Sequence, residues 1–447
     1  MGVVVENRVW EPSPWIYLFM FLGCFFSITL CSRHSKSLCP FDRSSSSFLR
    51  FHRKFLFLFS LASLMEGLWS IFGEFELLHY GLTKRQIVSS LCIGYGVSLF
   101  FGPLLGMLSD LIGHKKVCLV FCILHLVVGL WKKIVLRPGP GVWLTTVCLS
   151  LAMSIFTFSF EGWVVVENDK EGHRQDALSD TFWLMTLVES AALIGSQVLA
   201  NWLVGNNLEN GISSTSTATI ILAIIGIICL SREWKEAPQT ASSKDYSVSY
   251  ALIFSDKRMW LLGLAHASLQ FSVAVFWILW APTLVADGRE VNLGLIYPCL
   301  MGARMLGSTI FPWLLSVPLP VRMEDCLVYA FIIVGFALST VAYDYQEVGF
   351  LVALFCLFHM AVGLITPSLA RLRTMHVPNE LRGGMIGLSL TPANAAVLFF
   401  LLKRGGYQNI ENSTMMAFAV LGLFLAAGCM QLLKQWGKQP YQNWHKL

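Results

Sequence analysis

The feature that most constrains this chain is a succession of apolar stretches, each close to the length of a membrane span and separated by short polar turns. A helix rises 1.5 Å per residue, so about 20 apolar residues cross a hydrocarbon layer ~30 Å thick. Lipid offers the backbone no hydrogen-bond partners, so such stretches must be helices. Thirteen spans are predicted, at 14–31, 54–78, 87–112, 115–133, 142–166, 180–204, 216–231, 258–286, 292–317, 324–343, 347–371, 384–403 and 413–433. Composition agrees: 55% of residues are hydrophobic, 13% are charged and the mean hydropathy is +0.63, above what a polar-surfaced soluble domain shows. The expected fold class is an all-α membrane protein.

The polar interruption Arg232 to Asp256 leaves six spans on each side once the first is set apart. The expected organisation is therefore an anchor helix and basic segment over 1–53, a six-helix bundle over 54–231, a linker over 232–257, a second six-helix bundle over 258–433 and a tail over 434–447. The first span reads as a retained signal anchor. Only Arg8 stands before it against Glu6 and Glu11, and its far flank is basic instead of a small-residue cleavage site. Glu6 at the sixth position excludes an N-myristoylation signal at Gly2.

Assigning alternate loops to opposite sides puts 22 Lys and Arg on one side and nine on the other. The basic side is the cytoplasm, so the linker and tail face the cytosol and the N-terminus faces outward. Only Arg304, of 32 Lys and Arg, falls near the middle of a span. A sequon, Asn412-Ser413-Thr414, is expected in an outer loop. The net charge of +5 is spread over these loops and does not form a nucleic-acid surface. No CxxC pair or Cys/His cluster has zinc spacing, and Cys118 and Cys122, at i and i+4, read as packing. No metal, cofactor or catalytic motif is expected, and hence no enzyme.

The strongest local motif is Gly106-Met-Leu-Ser-Asp110-Leu-Ile-Gly113-His114-Lys115-Lys116, a tight cytoplasmic turn between the third and fourth spans. Its glycines allow a sharp turn and close helix packing, Asp110 can meet a helix N-terminus or a cation, and the lysines hold the turn in the cytoplasm. Any basic cytoplasmic turn would share some of this. With two six-helix halves, it resembles the signature loop of the major facilitator superfamily, although Leu111 and His114 replace usual basic positions.

Within that superfamily, several segments resemble the molybdate-anion transporter family, which also carries an extra leading helix. They are Ser47-Phe-Leu-Arg-Phe51, Phe160-Glu161-Gly-Trp163, Phe254-Ser-Asp-Lys-Arg258 with Leu261-Leu-Gly263, Trp280-Ala-Pro-Thr283, Met305-Leu-Gly-Ser308, and Gly363 through Pro367 to Arg373. The resemblance implies a major facilitator fold and a multi-pass secondary transporter that takes up molybdate by alternating access, in the plasma membrane. The chain departs from the family at Glu66-Gly67, Thr146, Leu149-Ser150 and Arg304.

Ionisable groups inside a bilayer are costly unless paired or facing water, so each is a functional candidate. Glu66, Glu189 and Arg304 are the charged ones, with His266, Gln270, His359 and Asn394 as polar companions. None lies on the third, sixth, ninth or twelfth core helix, which the superfamily places outside the cavity. His125 does, and reads as a satisfied packing residue. Arg304 is the expected oxyanion contact, because a guanidinium stays charged and its fork matches a tetrahedral oxyanion edge. Alternatively it pairs permanently with Glu189 or Glu66 and holds the halves together.

Glu66 or Glu189 could carry a coupling proton, so protons are a candidate co-substrate beside a small molybdate-like anion and the lipid bilayer. Glu161, nearer the cytoplasmic end, is expected in a structural ion pair. Trp277 and Trp280 suit an interfacial anchor or a lid, and Pro282 is expected to break its helix. The competing functions are transport of a small organic solute such as a sugar or peptide, and a non-transporting signalling or assembly role on the same fold.

Overall fold

The computed structural model describes residues 9–38, 46–79, 83–134, 141–170, 175–204, 208–232, 255–316, 322–343, 347–405 and 412–436. Most of the linker and the end of the tail lie outside the described residues. Among those described are thirteen α-helices: α1 (Pro14–Leu38), α2 (Ser46–His79), α3 (Lys84–Ile112), α4 (His114–Ile134), α5 (Gly141–Lys170), α6 (Gln175–Val204), α7 (Leu208–Arg232), α8 (Lys257–Leu284), α9 (Leu293–Ser316), α10 (Met323–Tyr343), α11 (Val348–His376), α12 (Arg382–Gly405) and α13 (Asn412–Trp436). Each predicted span matches one helix. Eleven, α3 to α13, are long and apolar enough to cross a membrane, and α1 contributes the shorter apolar helix Pro14–Leu30.

Local signals set several ends. Thr83 and Gln86 form a reciprocal capping box at the start of α3, and the Asp256 side chain accepts from the Arg258 amide at the start of α8. Two expectations are corrected. The sequon opens α13 instead of lying in a loop, and α8 continues through Pro282 to Leu284.

Helices α2 to α7 pack around one aromatic-rich core, in which Phe55 meets Trp163 and Phe59 meets Phe160, each at 5.4 Å between ring centroids. Helices α8 to α13 pack around a second core. Helix α4 pairs with α7, and α10 with α13, at the two flanks, while α3 with α12 and α6 with α9 join the halves. Large apolar side chains such as Phe100, Trp202 and Phe336 face outward, where a membrane would cover them. Buried hydroxyls such as Ser63, Ser190 and Ser272 donate back to carbonyls one turn earlier, which satisfies them without water.

The leading helix joins the second half. Tyr17 Oη donates to the Leu295 carbonyl at 2.5 Å, Trp313 Nε1 donates to Ser27 Oγ at 3.0 Å, and Trp10 makes a short parallel bridge to Val291. Every one of these contacts falls on or just before α9, the helix that carries Arg304.

Candidate functional site: a charged seam between the halves

Midway along α9, Arg304 crosses to the first half and meets Glu189 of α6. Its Nη2 donates to both carboxylate oxygens, at 3.1 and 3.2 Å, and the two side chains are only 15% and 22% exposed. The pair thus uses one nitrogen end-on. The Nε edge of the guanidinium is buried and has no protein acceptor. That edge keeps an unmet N–H donor, and oxyanion oxygens accepting from such an edge are how a guanidinium holds an oxyanion.

The helix is shaped for this. Pro298 has no N–H, so the Gly294 carbonyl one turn earlier loses its helical donor. Gln197 of α6 supplies a replacement, donating from Nε2 to Gly294 O at 2.7 Å across the seam. On its other side α9 lies against α11 at glycine positions. A Cβ at Gly307 or Gly363 would run into the backbone of Met360 or Arg304.

The remaining candidates fall into separate groups. Glu66 meets His125 Nε2 at 3.2 Å, so both belong to the interior of the first half and Glu66 is not the partner of Arg304. On α8, Gln270 Nε2 donates to His266 Nε2 at 3.4 Å, and His266 Nδ1 donates to Ser389 Oγ of α12 at 2.7 Å. Ser389 in turn donates to the Ile386 carbonyl, which closes a one-directional chain through a neutral imidazole. Asn394 is half-buried on α12.

His359 is buried among rings, with Phe276 at 4.7 Å, Trp277 at 5.1 Å and Phe358 at 5.4 Å between centroids. Trp277 also packs on Tyr297 at 5.7 Å, so it turns inward instead of anchoring at the membrane surface. Tyr297 and His359 both lie within electrostatic reach of Arg304.

At the end that carries the Asp110 turn the seam is shut. Helix α3 stops at Gly113, whose φ of 99° suits glycine, and α4 starts at the next residue. One turn back, Asp110 accepts from the Gly383 and Gly384 amides at 2.8 and 2.7 Å. These are unsatisfied first-turn donors of α12, so the carboxylate meets both hydrogen-bonding need and helix dipole. Gly106 and Gly383 face each other so closely that a side chain on either would overlap the opposite helix. His114 Nε2 approaches Asp110 to 3.5 Å, while the Lys116 side chain is exposed and Lys115 is half-buried beside it.

Next to this contact Glu161 of α5 binds two arginines from the second half. Arg373 donates from Nε at 2.8 Å and Nη2 at 2.5 Å, and Arg382 donates from Nη1 at 3.1 Å. All three side chains are nearly buried, at 11%, 4% and 0% exposure respectively. Glu161 was expected in an ion pair, but its partners were not foreseen. Arg382, Gln197, Tyr297 and Ser389 sit near helix ends or among apolar neighbours, where their residue types carry no spacing signal, and Arg373 stood out only as the end of a family-like segment.

The family model of the major facilitator superfamily described as sugar transporters, 12 TM, matches residues 17–368. The molybdate-anion transporter of Xenopus laevis is 27% identical over 367 residues, covering 79% of each chain. That of Danio rerio is 25% identical over 404 residues, covering 81% of each. The crystal structure of a bacterial homologue of the iron transporter ferroportin, in an outward-facing state, superposes with a TM-score of 0.70 at 16% identity, covering 86% of this chain and 99% of that one. The two bundles, the turn at Asp110 and the family match lead to one conclusion: the chain belongs to this twelve-span family of the major facilitator superfamily and is a multi-pass membrane transporter.

Proposed function

We propose that the protein carries a small tetrahedral oxyanion, molybdate first, into the cell by alternating access, with Arg304 as its principal contact and Glu189 as the counter-ion of Arg304 between cycles. The observation that carries this reading is the half-engaged guanidinium on the seam. Arg304 is held by a carboxylate of the opposite half through one nitrogen, and its Nε is uncommitted. An arriving oxyanion would take the open edge and weaken the bond to Glu189, loosening the halves where they must part. The names of the relatives support molybdate.

The description of the matching family favours a second reading, a sugar. A neutral solute would use the hydroxyl, amide and imidazole groups of Ser389, Gln270 and His266, and would leave the Arg304–Glu189 pair intact. In either case the protein acts as a carrier and not as a catalyst.

Molybdenum accumulation, read by elemental analysis in cells lacking their own uptake system, separates the readings. Wild-type protein is expected to exceed empty vector, and Arg304→Ala and Arg304→Lys to fall to vector level at equal surface expression. Lysine keeps the charge but not the fork. No accumulation by well-expressed wild type, or accumulation unaffected by Arg304→Ala, overturns the oxyanion reading.

A further inference from the structure

The described carboxylates inside the helical bundle are engaged: Glu66 by His125, Glu189 by Arg304, and Glu161 by Arg373 and Arg382. None is free to take a proton without first losing a partner. His359 differs. Among the described residues it alone is an imidazole with both ring nitrogens buried and without a hydrogen-bond partner. Buried polar groups are nearly always satisfied, and exceptions mark sites with another use.

The surroundings of this imidazole define that use. Helix α8 presents Phe276 and Trp277 to it, and its own helix presents Phe358. From α9 the charged group within reach is Arg304, with Tyr297 against the same Trp277 ring, and Glu189 of α6 stands beyond Arg304. His359 is buried among rings that solvate a charge poorly, and Arg304 and Glu189 together supply no net negative charge to offset one, so the imidazole is neutral when the site is empty. A divalent oxyanion on Arg304 brings two negative charges to the same place and reverses that balance.

We propose that His359 is the proton carrier of the transport cycle: it takes a proton from the outer side as a divalent oxyanion binds Arg304, and returns it to the cytosol as the anion leaves. Each ligand then raises the affinity for the other by the same factor, which couples the two fluxes. No bond other than the N–H bond forms or breaks. This assignment rests on the oxyanion reading above and replaces Glu66 and Glu189 as candidate proton carriers.

The test uses the full-length protein in liposomes containing a pH-sensitive dye, with molybdate measured by mass spectrometry. Two modes are compared: accumulation driven by an acid exterior, and exchange of molybdate against molybdate of another isotope without a gradient. Wild type is expected to show both, with proton entry accompanying accumulation and apparent molybdate affinity rising by up to about tenfold per unit of acidification. His359→Gln and His359→Asn are expected to retain measurable exchange, though slower, while losing accumulation, proton entry and the pH dependence. Proton-driven accumulation that survives in His359→Gln overturns the proposal. So does loss of exchange in both correctly inserted variants, because His359 would then serve the anion or the packing. Wild-type exchange without pH dependence overturns the proton role and leaves the anion reading standing. Absence of exchange in wild type overturns both.

Discussion

Arg304 and Glu189 meet through a single guanidinium nitrogen, so each is partly desolvated without gaining a full fork-to-fork bond. Such a pair is poised rather than locked, and its strength sets how readily an anion displaces it. Glu189→Gln is therefore expected to lower the molybdate concentration for half-maximal uptake by up to about tenfold, equivalent to ~1.4 kcal/mol, because the competing carboxylate is gone. Maximal rate is expected to fall, because a tighter anion leaves more slowly. A purely structural pair would instead show reduced surface expression with no change in half-saturation. Arg304 was legible in the sequence because it alone among 32 basic residues stands mid-span. That Glu189 and not Glu66 answers it was not. Both acids sit at similar depth, and only helix packing brings one of them to α9 while giving the other to His125.

Among the elements, α3 and α12 are brought together by a glycine crossing. Gly383 lies under Ser109 and Asp110, and a Cβ there would stand 2.7 Å from the Gly106 carbonyl oxygen and 2.8 Å from Asp110 Oδ1. Gly383→Ala is expected to cost about 1–3 kcal/mol by overpacking and to lengthen the Asp110 bonds to the α12 amides. Thermal unfolding of the purified protein checks the first effect, as a lower melting temperature than wild type. The turn itself, with Gly106, Asp110, Gly113, Lys115 and Lys116, could be picked out from residue types and spacing. Its target could not, because the α12 amides it satisfies lie 273 and 274 residues away in the chain. Helix α1 offers the same contrast. Its apolar length marks it as a membrane helix, whereas its docking along α9 depends on contacts such as Met20 on Gly302 and Leu306 on Gly23.

For the whole molecule, the closure at the end expected to face the cytoplasm rests on two polar contacts between the halves, Asp110 with α12 and Glu161 with Arg373 and Arg382. Glu161→Gln would leave two buried guanidiniums without their counter-ion, a loss of about 3–5 kcal/mol to the closed arrangement. It is expected to shift the protein toward a cytoplasm-open form. Single cysteines introduced along the cytoplasmic half of α5 should then react faster with a membrane-impermeant thiol reagent supplied from the cytosolic side. Unchanged labelling would show that the Asp110 contact suffices to hold that end. The amino-acid sequence by itself determined the number of spans, the division into two six-helix halves and the short list of mid-span polar residues. These follow from hydrocarbon thickness and backbone satisfaction, which act within one segment or its flanks. The tertiary structure alone decided which charges meet, on which half α1 rests, and which imidazole is left without a partner. Those outcomes depend on the rotation and depth of each helix against its neighbours, and these are set by packing over the whole bundle.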